Sequence, residues 1–455
     1  MVDEFKSTSA PHEENQKNNP MGPPKSKQLS MVHVAILSGL IAMASVNTKI
    51  AGAAWLSIVL VGACALFRRL WVLRGGLPVP ERVNNPVSSA ATTWFLFATL
   101  ALTLKAVAVL YWDSGWEERH AEIRLFLGAL GSLGLAGYYV RNRSQTLLVL
   151  GLCFAGLAAF ALVFLHGGDG APTNRIPWAS GMSLLILASL GAAFTVGRRQ
   201  RTILVLCSGL ATFGVIAFSD TRGAYPVGLI WIIALFSMRT VTFRDQARAQ
   251  RTAWETKTKS WLAMGSISLA ILPVLYLQGS LESAYSRVET ATSELGAYMQ
   301  GDDSSINTSV GARLHMWSLS VPVIVDNLPW GVGKDERAAQ IRRWGVELNS
   351  PVIQSLGHLH NEYLQTLLEN GLWGLASFLS YTAGMLFAAR RLWKCNLKVS
   401  SKGLVAIAAM HSLAELTNMN FAHNYYPTLL SLSVAIALIF AQVEAQKQGM
   451  LARKI

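Results

Sequence analysis

The chain has 455 residues, 52% of them hydrophobic and only 14% charged, where soluble domains carry roughly 25% charged residues. So few charges cannot cover the several soluble cores that a chain of this length would otherwise hold. The formal net charge is +13, a surplus that suggests nucleic acid in a soluble protein and cytoplasmic loops in a membrane protein.

In chain order, residues 1–30 are polar, include the run Asn19-Pro20-Met21-Gly22-Pro23-Pro24, and lack the apolar core of a signal peptide. They read as a disordered cytoplasmic tail. Apolar segments then recur at about 31–47, 50–67, 88–111, 122–140, 145–165, 178–196, 202–218, 224–238 and 259–277. These predict nine transmembrane helices over residues 31–277, several of them short of the ~20 residues that cross a bilayer squarely. Residues 278–370 hold no spanning segment and form one large loop. Three more spans follow at about 371–389, 402–418 and 427–445, and residues 446–455 form a second tail.

Twelve spans put both termini on one side. With that side cytoplasmic, the inner segments hold 27 of the 39 basic residues, including Arg68-Arg69, Arg141, Arg143, Arg198-Arg199, Arg201, the stretch from Arg239 to Lys259, and Arg390-Arg391. Every inner connection is basic, which fixes the orientation by the positive-inside rule. The surplus is spread over short loops at one membrane face, so the chain reads as an all-α integral membrane protein with membrane lipids and no nucleic acid as partner.

The large loop, periplasmic in this orientation, carries helical patterns at Leu281–Tyr298 and Ser309–Val325. The second is rich in apolar residues and predicts a helix at the membrane interface or over the bundle mouth. Trp112, Trp116, Trp178, Tyr425 and Tyr426 fit an interfacial aromatic belt. The four cysteines show neither a CxxC spacing nor a Cys/His pair, which excludes a disulfide framework and a familiar zinc site.

Function is sought in the exceptions to the charge rule. Arg222 sits in the outer turn Ser219-Asp220-Thr221-Arg222-Gly223-Ala224-Tyr225-Pro226, either as a ligand-binding cation beside a glycine that admits close backbone approach or as an arginine paired with Asp220. Arg313 opens the stretch Arg313-Leu314-His315-Met316-Trp317, which runs on to the turn Pro329-Trp330-Gly331-Val332-Gly333. A third segment, Gly357-His358-Leu359-His360-Asn361, leads toward Gly371 and Gly374. A histidine here suits a general base. His358 and His360 could instead ligate a metal, but on a helix they point apart and no third ligand recurs at a useful spacing. His411 and Glu415 share a helix face, as a functional pair or a structural one. Lys105 is expected to snorkel and Arg287 to be solvent-exposed.

The string His360-Asn361, nine residues, Gly371, two residues, Gly374 resembles the signature of the O-antigen ligase family. The Thr221-Arg222-Gly223 turn resembles that family's first arginine motif. Arg313 with Trp317 and the Pro329–Gly333 turn resembles its second. The resemblance implies about twelve transmembrane helices, one large periplasmic loop and a fold like the C-type membrane glycosyltransferases. It implies transfer of O-antigen from undecaprenyl diphosphate to lipid A–core at the periplasmic face of the bacterial inner membrane. By residue, Arg222 and Arg313 would hold the diphosphate and His360 would be the catalytic base, with Asn361, Gly371 and Gly374 structural and with no metal or cofactor. O-antigen polymerase, protein O-oligosaccharyltransferase and non-enzymatic transporter remain as alternatives.

The chemistry asks for the same residue types. A lipid-linked diphosphate accumulates charge as it leaves, and fixed cations can stabilise it in place of a divalent ion. There is no DxD motif, and the adjacent Asp302-Asp303 lies in a polar turn. Arginine binds phosphate bidentately and stays charged. His360 is expected to titrate close to the working pH.

Overall fold

The computed structural model describes residues 29–74, 85–112, 120–138, 140–249 and 280–452. The expected ninth span at 259–277, residues 1–28 of the N-terminal tail, Trp116 and residues 453–455 lie outside that set. Within it the chain is helical, without a strand. The helices are α1 (Met31–Ala42), α2 (Thr48–Arg74), α3 (Pro86–Tyr111), α4 (His120–Leu135), α5 (Asn142–His166), α6 (Arg175–Thr195), α7 (Arg198–Phe218) and α8 (Pro226–Ala249). After these come α9 (Ser280–Met299), α10 (Ser309–Asp326), α11 (Lys334–Glu347), α12 (Pro351–Ser355), α13 (Glu362–Lys394), α14 (Lys398–Ala414) and α15 (Tyr425–Ala452).

Among the described residues eight helices are long and apolar enough to cross a membrane, drawn from α2, α3, α5 to α8, α13 and α15. The apolar α1, with 12 residues, and α4, with 16, are shorter than the ~30 Å hydrocarbon thickness at 1.5 Å per residue. Asparagine side chains start three of the long helices. Asn85 accepts the Val87 N–H at 3.0 Å, Asn174 that of Ile176 at 3.0 Å, and Asn361 that of Leu364 at 3.1 Å, which satisfies donors that the helix leaves free.

Helix α6 lies at the centre of the bundle, every residue from Pro177 to Thr195 buried, and α15 is almost as enclosed. The surrounding helices keep one face bare of protein: Leu60 and Phe67 of α2, Phe154 of α5, and Leu229, Ile233 and Phe236 of α8 are all exposed. Such a band needs lipid as its solvent. Close approaches use small residues, as where Gly62 of α2 meets Gly131 and Gly134 of α4.

The bundle ends differ in charge. Arg198, Arg199 and Arg201 open α7 at one end, where the Arg390–Lys398 segment joins α13 to α14. At the other end, Trp178 donates to Ser45 O at 2.8 Å and Tyr425 to Ala44 O at 2.8 Å. This end also carries residues 280–361, which have a small core of their own around Met316, Ile341, Trp344 and Leu359.

That layer is fastened to the bundle by a broken helix. In α13, Gly371 has φ +59, so the carbonyls of Leu368 and Glu369 are released from the helix. They accept the N–H groups of Val332 (2.8 Å) and Gly333 (2.9 Å), while Leu372 N–H donates to Pro329 O at 2.9 Å. Trp330 stacks on Tyr111 at 4.1 Å, and Trp112 donates to Trp330 O at 3.0 Å. A Cβ on Gly371 would collide with Pro329 O. Gly371→Ala is therefore expected to cost at least about 1–3 kcal/mol, read as a lower melting temperature of the purified protein. Gly39→Ala, in α1 with no atom within 4 Å of the added carbon, should leave it unchanged or raise it slightly; equal losses would refute the steric account.

Candidate active site

Three segments meet at this end of the bundle. Arg222 begins a 3-10 turn, Arg222–Ala224, between α7 and α8, and its side chain is exposed. The neighbouring Asp220 does not neutralise it. Asp220 instead pairs with Arg287 of α9 and lies 3.5 Å from Arg175. Arg287 is thus an anchor that ties α9 to the end of α7, a correction to its expected solvent exposure.

Arg313 lies in the second turn of α10 and is half-buried. Two contacts fix the start of that helix: Thr308 Oγ1 caps Gly311 N–H at 3.1 Å, and Glu294 of α9 accepts Val310 N–H at 2.8 Å. The side chain of Arg313 feels the charge of Arg222, and the two histidines feel that of Arg313. Its guanidinium is held below its ordinary range first by burial, then by the like charge of Arg222, with Glu294 acting in the opposite sense. Among the described residues neither Arg222 nor Arg313 forms an ion pair with a carboxylate.

The histidine segment is held on both sides. Buried Leu359 donates its N–H to Gln365 Oε1 at 3.0 Å and accepts Trp317 Nε1–H at 2.7 Å. Trp317 thereby links the helix of Arg313 to the peptide that precedes His360. His360 has φ +54, a left-handed conformation that few non-glycine residues adopt. Its N–H points to His358 Nδ1 at 3.3 Å, and the two rings lie 4.0 Å apart. Accepting at Nδ1 leaves the neutral His358 ring its proton on Nε2. Asn361 caps α13 as described, and Gly371 and Gly374 sit at the break one helical segment on; a Cβ on Gly374 would lie 2.7 Å from Thr366 O.

The pKa expected of His360 is corrected. Burial, His358 and Arg313, in that order, push it down to about 3, far from the working pH. Burial, Arg337, His423 and Arg313 push His358 down to about 4. Both rings are neutral at pH 7, so His360 is in the form that accepts a proton.

Three further charged groups were missed or misplaced by sequence reading. Arg337 of α11 is buried; it donates to Gly357 O and lies 3.4 Å from Glu369, bracing the histidine segment against the broken helix. Glu362 is buried directly after Asn361, its N–H bonded to Glu415 O at 2.9 Å. Lys105, within the last two turns of α3, is only 8% exposed and lies in the field of Glu362 and Glu369, so it does not snorkel. Residue type alone gave one signal, an ionisable group within an apolar span. Among the described residues no group of three or more His, Cys, Asp or Glu side chains is arranged to hold a metal ion. Asp302 caps a 3-10 turn through Ser304 N–H at 2.8 Å.

The helices and their lipid-facing surfaces define a multi-pass, all-α membrane protein with two arginines near neutral histidines at one end. Residues 207–379 match a family model described as O-Antigen ligase, a span that contains all three motifs. That match supports the resemblance seen in the sequence: the matched stretch is similar to the O-antigen ligase family, whose membrane glycosyltransferase chemistry is of the ligase and polymerase type. No curated protein matches the chain.

The two histidines make stability sensitive to acid. Their folded pKa values lie below the ordinary 6.5, so the unfolded chain binds more protons as pH falls. The stability they contribute is intact above about pH 6.5 and lost progressively toward pH 4 to 3. We expect the melting temperature to fall over that window, and His360→Gln to shrink the fall; an identical profile for the variant would refute this assignment.

Proposed function

We propose that the protein is an O-antigen ligase of the bacterial inner membrane, with both termini cytoplasmic and the 278–370 region periplasmic. It transfers O-antigen from undecaprenyl diphosphate to a sugar hydroxyl of lipid A–core. The observation that carries the reading is a pair of mutually repelling arginines, without carboxylate partners among the described residues, beside an imidazole that is neutral at pH 7. Such an arrangement favours an anion: the diphosphate offsets the repulsion and takes bidentate hydrogen bonds from both guanidinium groups.

In this mechanism Arg222 and Arg313 hold the diphosphate at the bundle end while the polyprenyl chain stays in lipid. The acceptor hydroxyl attacks the anomeric carbon from the side opposite the diphosphate, and its proton passes to His360. The bond between sugar and diphosphate breaks as the new glycosidic bond forms, which inverts the anomeric centre. The diphosphate leaves on its lipid with its developing charge held by the two arginines. Its negative charge also lifts His360 from the depressed pKa of the free site toward the range where a general base works best.

Reconstitution in vesicles with a lipid-linked glycan, with and without lipid A–core, tests the reading. Transfer to the core supports a ligase. Extension of the glycan alone would instead indicate a polymerase, and neither product would favour a transporter. His360→Ala should lower kcat by about 10²–10⁴ with donor binding largely retained. Arg222→Lys should lose roughly 10- to 100-fold in kcat/KM, the equivalent of one charged hydrogen bond; equal activity would remove the bidentate role. The acid limb should report a higher pKa in kcat than in kcat/KM, because kcat reports the donor-bound site.

A further inference from the structure

The turn at residues 415–420, between α14 and α15, touches two of the three site segments. Glu415 follows α14, and its main-chain carbonyl accepts the N–H of Glu362 at 2.9 Å, two residues beyond His360. Its carboxylate Oε2 accepts the N–H of Asn420 at 3.3 Å, which closes the turn on itself. Within the turn, Thr417 and Asn418 lie against Gly223, the residue after Arg222, so closely that a Cβ on Gly223 would collide with Asn418 Nδ2. The Arg222 turn and the histidine segment therefore rest on one short stretch of chain.

Three polar residues of that stretch are enclosed. Glu415 and Asn420 are 0% exposed and Asn418 4%. His411 stacks on Phe421 with ring centroids 5.7 Å apart and packs against Phe378 at 5.3 Å. His411 Nδ1 lies 2.9 Å from Tyr426 Oη and 3.8 Å from Glu415 Oε1, an oxygen that has no hydrogen-bond partner of its own. A carboxyl group so removed from water is costly unless its hydrogen bonds organise something. Glu369, by comparison, has Arg337 beside it. The hydrogen-bond donor to the Glu415 carboxylate is the backbone of its own turn, with the His411 ring beside it.

We infer that Glu415 is a positioning residue: through the 415–420 turn it sets the separation of Arg222 and His360. The inference rests on the diphosphate and base roles proposed above for those two residues. It assigns to the His411–Glu415 pair a single task, to lock the turn: Glu415 holds Asn420 while Tyr426 holds the His411 ring beside it.

The test uses the full chain in lipid nanodiscs and reads hydrogen exchange together with kinetics. Glu415→Ala should accelerate amide exchange in both 219–225 and 357–365 while leaving the 329–333 turn unchanged. It should also lower kcat by roughly 10- to 100-fold with little change in donor KM, the signature of a displaced catalytic group. Glu415→Gln keeps an acceptor for Asn420 N–H and should restore most of kcat. Gly223→Ala, which pushes on Asn418 from the other side, should reproduce the kinetic loss if the Glu415→Ala protein does not fold. Unchanged exchange in the two segments, full kcat in a folded Glu415→Ala protein, or a Gln variant as impaired as Ala would each overturn the inference. Coupled exchange in a wild-type protein that transfers no glycan would instead keep the strut and sink the ligase reading.

Discussion

The broken turn of α13 at Gly371 is the constraint on which the rest of the site depends. A membrane core offers no water to peptide groups released from a helix, so each must find a partner within the protein. Here the carbonyls of Leu368 and Glu369 and the N–H of Leu372 are all satisfied by residues 329–333. This short turn is where α10 ends and α11 begins. The helix that carries Arg313 and the helix that carries Arg337 are thus fixed relative to the bundle by the same backbone hydrogen bonds. Gly331 and Gly333 follow from this: both have positive φ, and a side chain on Gly331 would strike Gly371 N at 2.6 Å.

Around that joint the charges are sorted. Asp220 is occupied by Arg287 and Arg175, and Glu369 by Arg337. These pairs bind neighbouring elements to one another and leave Arg222 and Arg313 without a carboxylate among the described residues. The partly exposed pairs of Asp220 are each worth little in stability. Their consequence is selective: they withdraw acids from two particular arginines, and the local positive charge results from where the partners are used, not from an excess of arginine.

Much of this was legible in the sequence, for a physical reason. Apolar runs announce membrane helices because the solvent demands them, and the loop helices expected at Leu281–Tyr298 and Ser309–Val325 appear as Ser280–Met299 and Ser309–Asp326. The nine residues between Asn361 and Gly371 become intelligible as a short helical segment ending at the break. What escaped depends on pairs distant along the chain. Arg287 finds Asp220 and Arg337 finds Glu369 through packing that no local periodicity encodes. Lys105 was read by its reach to the interface, whereas its burial follows from how α13 covers α3. The pKa of His360 could not be foreseen because it is set by enclosure and by two neighbours, His358 and Arg313, whose nearness only the fold provides.

A depressed histidine beside two arginines also imposes an order on the proposed chemistry. In the free site a pKa near 3 makes His360 a weak base, so an acceptor hydroxyl that arrives first gains little from it. Each unit by which an arriving anion raises that value is worth about 1.4 kcal/mol of proton affinity. The diphosphate is such an anion, and on this reading it is held in part by Arg313, whose charge contributes to the depression. On this reading the base becomes effective when the donor is seated. Burial, the first cause of the depression, thereby makes the seating of the donor the step that readies the base.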